Sequence, residues 1–161
     1  AAIGAQIGNR DKRVVLIAGD GSIQMNIQEL ATAVTEGLPV IVVILNNGYL
    51  GMVRQWQELF YDKRYSSTCL HKRASCPREC NKTGKDCPPY VPDFVKLAEA
   101  YGAEGIRACI MEEVDTALVK AASITDRPVF IVVTIGKEIN VWPMVPPGGG
   151  LTDMLLQGAS R

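Results

Sequence analysis

What this sequence lacks narrows it first. It has no net charge, because 17 basic residues balance 17 acidic ones. That leaves no electrostatic case for nucleic acid or a membrane surface as a partner. No apolar run approaches the roughly 20 residues that a membrane-spanning helix needs. The first residues, AAIGAQIG, carry no basic stretch of the kind that opens a secretory signal. They also lack an initiator Met and begin inside a helical pattern, which predicts a piece of something longer. There is no internal repeat and no sign of a second domain, and 161 residues suit one domain with a real core. The five cysteines are an odd number. Without a secretory signal, a reducing cytoplasm is favoured over a disulfide framework.

What is present alternates between two periods. Ala1 to Ile7 reads as the end of a helix, closed by Gly8 and the turn Asn9-Arg10-Asp11. Val14 to Ala18 is a continuous apolar run, expected as a central strand covered on both faces. Ile23, Ile27, Leu30 and Val34 recur at helical steps, with Gly37 as the stop. Pro39 to Leu45 is a second buried strand rich in β-branched residues. Met52, Trp56, Leu59 and Phe60 space a further helix. Asp93 can cap a helix carrying Phe94, Leu97, Ala98 and Tyr101, ending at Gly102. A short strand follows at Gly105 to Ile110, and within it Cys109 is expected as a buried core residue. Glu112 and Glu113 open another helix at its positive end. Pro128 to Ile135 is a third buried strand, followed by a Pro- and Gly-rich tail. Strands alternating with helices predict a three-layer α/β/α, doubly wound parallel sheet with right-handed crossovers.

Two turns carry chemistry. Gly19-Asp20-Gly21-Ser22 ends the first strand, and Asn46-Asn47-Gly48-Tyr49 ends the second. In open α/β sheets, ligands bind at the carboxyl ends of strands. The Asn pair begins 26 residues after Asp20, the length of one helix plus one strand. Asp20 offers a charged oxygen, the Asn47 side chain a neutral one, and a turn carbonyl just beyond Asn47 a third. Mg²⁺ takes about six oxygens and shares its shell with phosphate ligands. Gly19 and Gly21 let backbone approach a phosphate. Ser22 stands at a helix N-terminus, where an anion is favoured. Asn46 reads as a strand-end turn residue rather than a ligand. The two turns together predict a divalent metal holding a diphosphate.

With these residues in hand the sequence is recognisable. GDGSIQMNIQELATAV, its spacing to LNN, and GMVRQWQELFYDKRYS resemble the thiamine diphosphate enzymes. Within them they resemble the acetolactate synthase (acetohydroxyacid synthase) large subunit. PDFVKLAEAYGAEGIR and the VWPMVPPGGGLTDML tail extend the likeness over nearly the whole chain. It implies one C-terminal thiamine diphosphate-binding domain over 1–161, truncated at its N-terminus. It implies condensation of two pyruvates to acetolactate with loss of CO₂, in branched-chain amino acid biosynthesis. By motif position, Asp20, Asn47 and the backbone carbonyl of Tyr49 hold Mg²⁺. Gly19, Gly21, Ser22, Met25, Asn47, Tyr49 and Met52 line the cofactor, and Met52, Val53 and Trp56 lie on a mobile segment over the substrate. Read without the motif, Met25 and Met52 are core gap-fillers and Trp56 a helix anchor. Other enzymes of the superfamily, such as a pyruvate oxidase, decarboxylase or carboligase, share Asp20 and Asn47, and a non-catalytic assembly module keeping the fold is a third reading.

The likeness also shows what is missing. The family's proton relay starts at a Glu in a pyrimidine-binding domain supplied by a neighbouring subunit, and nothing here corresponds to that domain. The family's FAD-bearing middle domain is absent too. A homodimer or tetramer, and a regulatory small subunit for the parent enzyme, are the implied partners. The chain alone is expected to be inactive. The segment at about 68–92 departs from the family: it is an insert with Cys69, Cys76, Cys80 and Cys87. Four thiols can make a tetrahedral zinc site. However, there is no Cys-x2-Cys knuckle, so free or paired thiols and an iron–sulfur cluster stay open. His71 lies in this insert, outside the motif, and is assigned no catalytic role.

Overall fold

The strongest local signal is β-branched density, and the sheet follows it. A computed structural model describes residues 1–76, 87–88, 92–137 and 139–157. Four strands form one parallel sheet: β1 (Val15–Gly19), β2 (Ile41–Asn46), β3 (Glu104–Ala108) and β4 (Val129–Thr134), in the order β1-β2-β4-β3. The register sets Gly19 beside Leu45 and Asn46 beside Thr134. The carboxyl ends of β1, β2 and β4 therefore open on one edge of the sheet.

Helices cover both faces. On one face, α1 (Ala2–Gly8), α3 (Leu30–Thr35) and α5 (Phe94–Ala100) enclose a core of Leu30, Val42, Ile44, Phe94, Ala98, Phe130 and Val132. On the other, α6 (Met111–Ser123) lays Ala117 and Ala121 on Ile41, Val129 and Ile131. The helix ends follow local chemistry. The Asp93 carboxylate accepts the N–H groups of Val95 and Lys96. α3 ends with Leu38 N–H on the Ala33 carbonyl and Gly37 N–H on the Val34 carbonyl, the bonding pattern of a left-handed cap. Arg13 reaches carbonyls at the end of α6, Ala122 at 3.0 Å and the capping Ile124 at 2.7 Å, where a cation opposes the helix dipole.

Three expectations need correction. β1 is an edge strand and is not covered on both faces. Because α6 packs over β3 and β4, Ile17 on β1 stays 67% exposed. The single helix expected from Ile23 to Val34 is three pieces: α2 (Asp20–Ile23), a 3₁₀ stretch (Gln24–Glu29) and α3. The break is at Asn26, whose backbone (φ −134°, ψ 31°) leaves the helical region. Cys109 is exposed, not buried, because β3 ends at Ala108 and Cys109 lies past the sheet, its thiol 3.7 Å from the Thr134 hydroxyl. At the start of the insert, Cys69 pairs antiparallel with Tyr49.

Candidate functional site

The two turns meet. Asp20 opens α2 and is 2% exposed. One carboxylate oxygen accepts Gly21 N–H at 2.8 Å, and the other accepts Gly48 N–H at 2.7 Å, linking the carboxyl ends of the paired strands β1 and β2. Burial pushes the Asp20 carboxyl above its ordinary value, and the N–H bonds from Gly48 and Gly21 and the nearby His71 pull partly back. A divalent cation would reverse that balance, since it supplies the charge that burial has removed from reach. Asn46 Oδ1 accepts Gly48 N–H at 3.2 Å, as expected of a turn residue. Asn47 Oδ1 accepts Tyr49 N–H at 2.9 Å, so its side-chain oxygen is held on the turn beside the Asp20 partner. A buried carboxylate and a positioned amide oxygen, both at strand ends, are hard oxygen donors of the kind Mg²⁺ takes. The residues present fit such a cation.

Glycine is required at two places. Gly48 has φ +70°, and a Cβ there would fall 2.0 Å from His71 Nε2. A Cβ on Gly21 would fall 2.8 Å from the Leu50 side chain, so the first turn is pressed against the second. Ser22 lies inside the short α2 rather than at its cap, which is Gly19.

Tyr49 is buried and held by its ring. Arg54 Cζ lies 5.7 Å and Lys137 Nζ 5.9 Å from the ring centroid, and the His71 ring is 6.4 Å away. These three residues were not legible as site neighbours. Arg54 and Gln55 belong to α4 (Gly51–Phe60), whose burial is inverted. Arg54 pairs with Glu58 at 3.1 Å and stacks 4.6 Å from the Tyr65 ring, and Gln55 exchanges two hydrogen bonds with Val141 at 2.8 and 2.9 Å. The apolar side, with Met52, Val53 and Trp56, is exposed instead, and so is Met25 on the 3₁₀ stretch. The structure thus brings Asp20, Gly21, Asn47 and Tyr49 together, and leaves Met25, Met52, Val53 and Trp56 on an open surface.

In the insert, Cys69, His71, Cys76 and Cys87 line one small cavity with Lys72 and Pro88. Among the described residues no three His, Cys, Asp or Glu side chains form a group able to hold a metal, and none of these cysteines forms a disulfide. Cys80 lies outside the described residues. No helix among the described residues is long and apolar enough to cross a membrane.

The comparisons with known proteins agree with this geometry. Residues 1–133 match the family model "Thiamine pyrophosphate enzyme, C-terminal TPP binding domain". The chain is 46% identical over 154 residues to the acetolactate synthase large subunit of Corynebacterium glutamicum, covering 96% of this chain and 22% of that protein. It is 41% identical over 163 residues to the isozyme 3 large subunit of Escherichia coli, covering all of this chain and 25% of that one. Among solved structures, the thiamine diphosphate-dependent 4-hydroxybenzoylformate decarboxylase of Rhodococcus jostii RHA1 superposes with a TM-score of 0.63 at 29% identity. That match covers 84% of this chain and 22% of that one. The chain thus spans about a quarter or less of the length of these relatives. With the fold, the paired turns and the match over 1–133 in agreement, the chain belongs to the thiamine pyrophosphate enzyme family, as its C-terminal TPP-binding domain.

Proposed function

We propose that this chain is the diphosphate-anchoring part of an acetolactate synthase catalytic subunit. The observation that carries the reading is the bond from Gly48 N–H to Asp20, which ties together the ends of two parallel strands. Asp20, the Asn47 amide oxygen and the Tyr49 carbonyl hold Mg²⁺, and Mg²⁺ with the N–H groups around Gly21 and Ser22 holds the diphosphate. When bound, thiamine diphosphate supplies the nucleophilic carbon and the electron sink that decarboxylation of a 2-oxo acid needs. The chain's own part is to fix the metal and so the orientation of the cofactor. Met25 and Met52 face the cofactor, and Val53 and Trp56 the substrate. In the parent enzyme two pyruvates condense to acetolactate with loss of CO₂.

The exposed apolar side of α4 supports a site completed by other surfaces. In this reading a pyrimidine-binding domain of a neighbouring subunit covers it, so the working assembly is at least a homodimer, with a regulatory small subunit as a further partner. The chain alone turns over no pyruvate. A second reading, a decarboxylase or carboligase of the same family, draws on the likeness to the Rhodococcus decarboxylase, and product analysis of the parent enzyme separates the two.

Calorimetry on the chain tests the anchor. Thiamine diphosphate binds in the presence of Mg²⁺ and not with chelator, and Asp20→Asn and Asn47→Ala each remove the Mg²⁺ dependence. Equal binding with and without Mg²⁺ refutes the reading.

A further inference from the structure

The residues just after the start of the insert reach back to both halves of the metal turn. Backbone ties come first. Leu50 N–H donates to the Thr68 carbonyl and Leu70 N–H to the Gly48 carbonyl, each at 2.9 Å, with Cys69 opposite Tyr49. This is a short antiparallel ladder, in which alternate side chains share a face. Two side chains then touch the two turns separately. Leu70 Cδ1 lies 3.6 Å from where a Gly21 Cβ would be, beside Leu50. The His71 ring closes over Gly48 so tightly that no Cβ fits, and its Nδ1 is 3.2 Å from the Pro88 carbonyl. Gly21 and Gly48 are the two residues whose N–H groups hold the Asp20 carboxylate. The insert therefore rests on both N–H donors of the buried acid.

We infer that Leu70 and His71 form a clasp that positions the Asp20 and Asn47–Tyr49 turns for the divalent cation, with His71 a positioning residue and not a ligand. The inference rests on the metal-diphosphate reading above and adds a role for two residues outside the two turns. The physical reason is freedom of the chain. A turn with a left-handed glycine and two further glycines close by is mobile unless something packs on it. The oxygens of Asp20 and Asn47 hold a useful spacing only while Gly48 stays seated. The His71 ring supplies that seat from a half-buried position, anchored at its far side by Pro88. Outer contacts of this kind typically alter metal affinity about 10–100-fold when removed.

The test uses the full chain and two independent readouts. In the metal-free chain, His71→Ala speeds hydrogen exchange at the Gly48 and Leu50 amides by about 10-fold or more, while amides of β2 and β4 keep their protection. In Mg²⁺ titrations with thiamine diphosphate present, His71→Ala and Leu70→Ala each weaken apparent Mg²⁺ affinity about 10-fold. His71→Phe restores most of it, because the ring and not the imidazole nitrogen does the seating. Unchanged exchange at Gly48 in His71→Ala overturns the clasp whether or not the cofactor binds. If the parent sequence binds Mg²⁺ and cofactor but His71→Ala binds them equally well, the clasp fails and the anchor reading stands. If neither protein shows Mg²⁺-dependent binding, the anchor reading fails and the exchange result alone decides the clasp. Rescue by His71→Asn but not His71→Phe overturns the steric role.

Discussion

Replacing Gly48 by alanine probes the point where the strand ends, the buried acid and the insert converge. Two costs can be worked from the structure. The backbone sits at φ +70°, and an L-residue in the left-handed region costs about 1–2 kcal/mol. The new methyl carbon would then lie 2.0 Å from His71 Nε2 and 2.5 Å from Cδ2, far inside van der Waals contact. The ring has to leave, giving up its bond to the Pro88 carbonyl and its packing beside Tyr49, a further loss of about 1–2 kcal/mol. The expected total is about 2–4 kcal/mol, a large share of the 5–15 kcal/mol typical of a folded domain. Urea unfolding reads it as a lower midpoint with an unchanged slope. The His71→Ala background isolates the second cost. There Gly48→Ala retains only the backbone penalty, so the two substitutions couple by about 1–2 kcal/mol in a double-mutant cycle. Additive effects would show that the ring does not sit over Gly48, and the account of the clasp would fall with it.

Three further expectations follow from polar contacts. Gln55→Ala removes both hydrogen bonds to Val141 from a buried side chain, so it lowers stability by about 1–3 kcal/mol in the same unfolding assay, and Gln55→Leu does no better. In Glu104 the hydrogen bond from Lys120, with the charges of Lys120 and Arg127, outweighs desolvation and holds the carboxyl below its ordinary value. The unfolded chain then takes up the proton first, so this contribution is present above the ordinary carboxylate pKa and is lost as pH falls through the folded one. Glu104→Gln flattens that part of the acid limb in a pH series of unfolding curves, and added salt shrinks the effect because the pair is largely open to solvent. Asp20 has the opposite sign: burial raises its carboxyl, so the folded metal-free chain binds the proton first and its contribution improves as pH falls through the folded value. Asp20→Asn abolishes that trend, which unfolding curves taken with chelator measure directly.

Much of the fold was legible because its signals are local. The runs at Ile41–Asn46 and Val129–Thr134 carry their own strand preference, and Asp93 announces its helix two residues before the amides it caps. The pairing of Asp20 with the Asn47 turn was legible for a different reason. One helix and one strand return the chain to the neighbouring strand, so the spacing alone implies adjacency, and the register of Gly19 with Leu45 realises it. What was not legible depends on partners distant in sequence. The edge position of β1 follows from strand order, to which Val15 and Ile17 are silent. His71 looked idle because nothing in a basic, Pro-rich insert says that it folds back 23 residues onto Gly48.

The helix α4 shows the limit most clearly. Its apolar residues keep a helical period, so two faces were evident, and the ordinary inference puts Met52 and Trp56 inside. The structure turns the other face inward, because Arg54 finds Glu58, the Lys137 carbonyl and two aromatic rings, while Gln55 finds both backbone groups of Val141. A buried polar pair that is fully bonded costs little, whereas moving it outward would give up its bonds to Val141 and Lys137. Periodicity reports that a helix has a wet side and a dry side only when all of its partners are on the same chain. Here the polar side is satisfied within the chain and the apolar side is left open, and it is this open side that the proposed function turns toward cofactor and substrate.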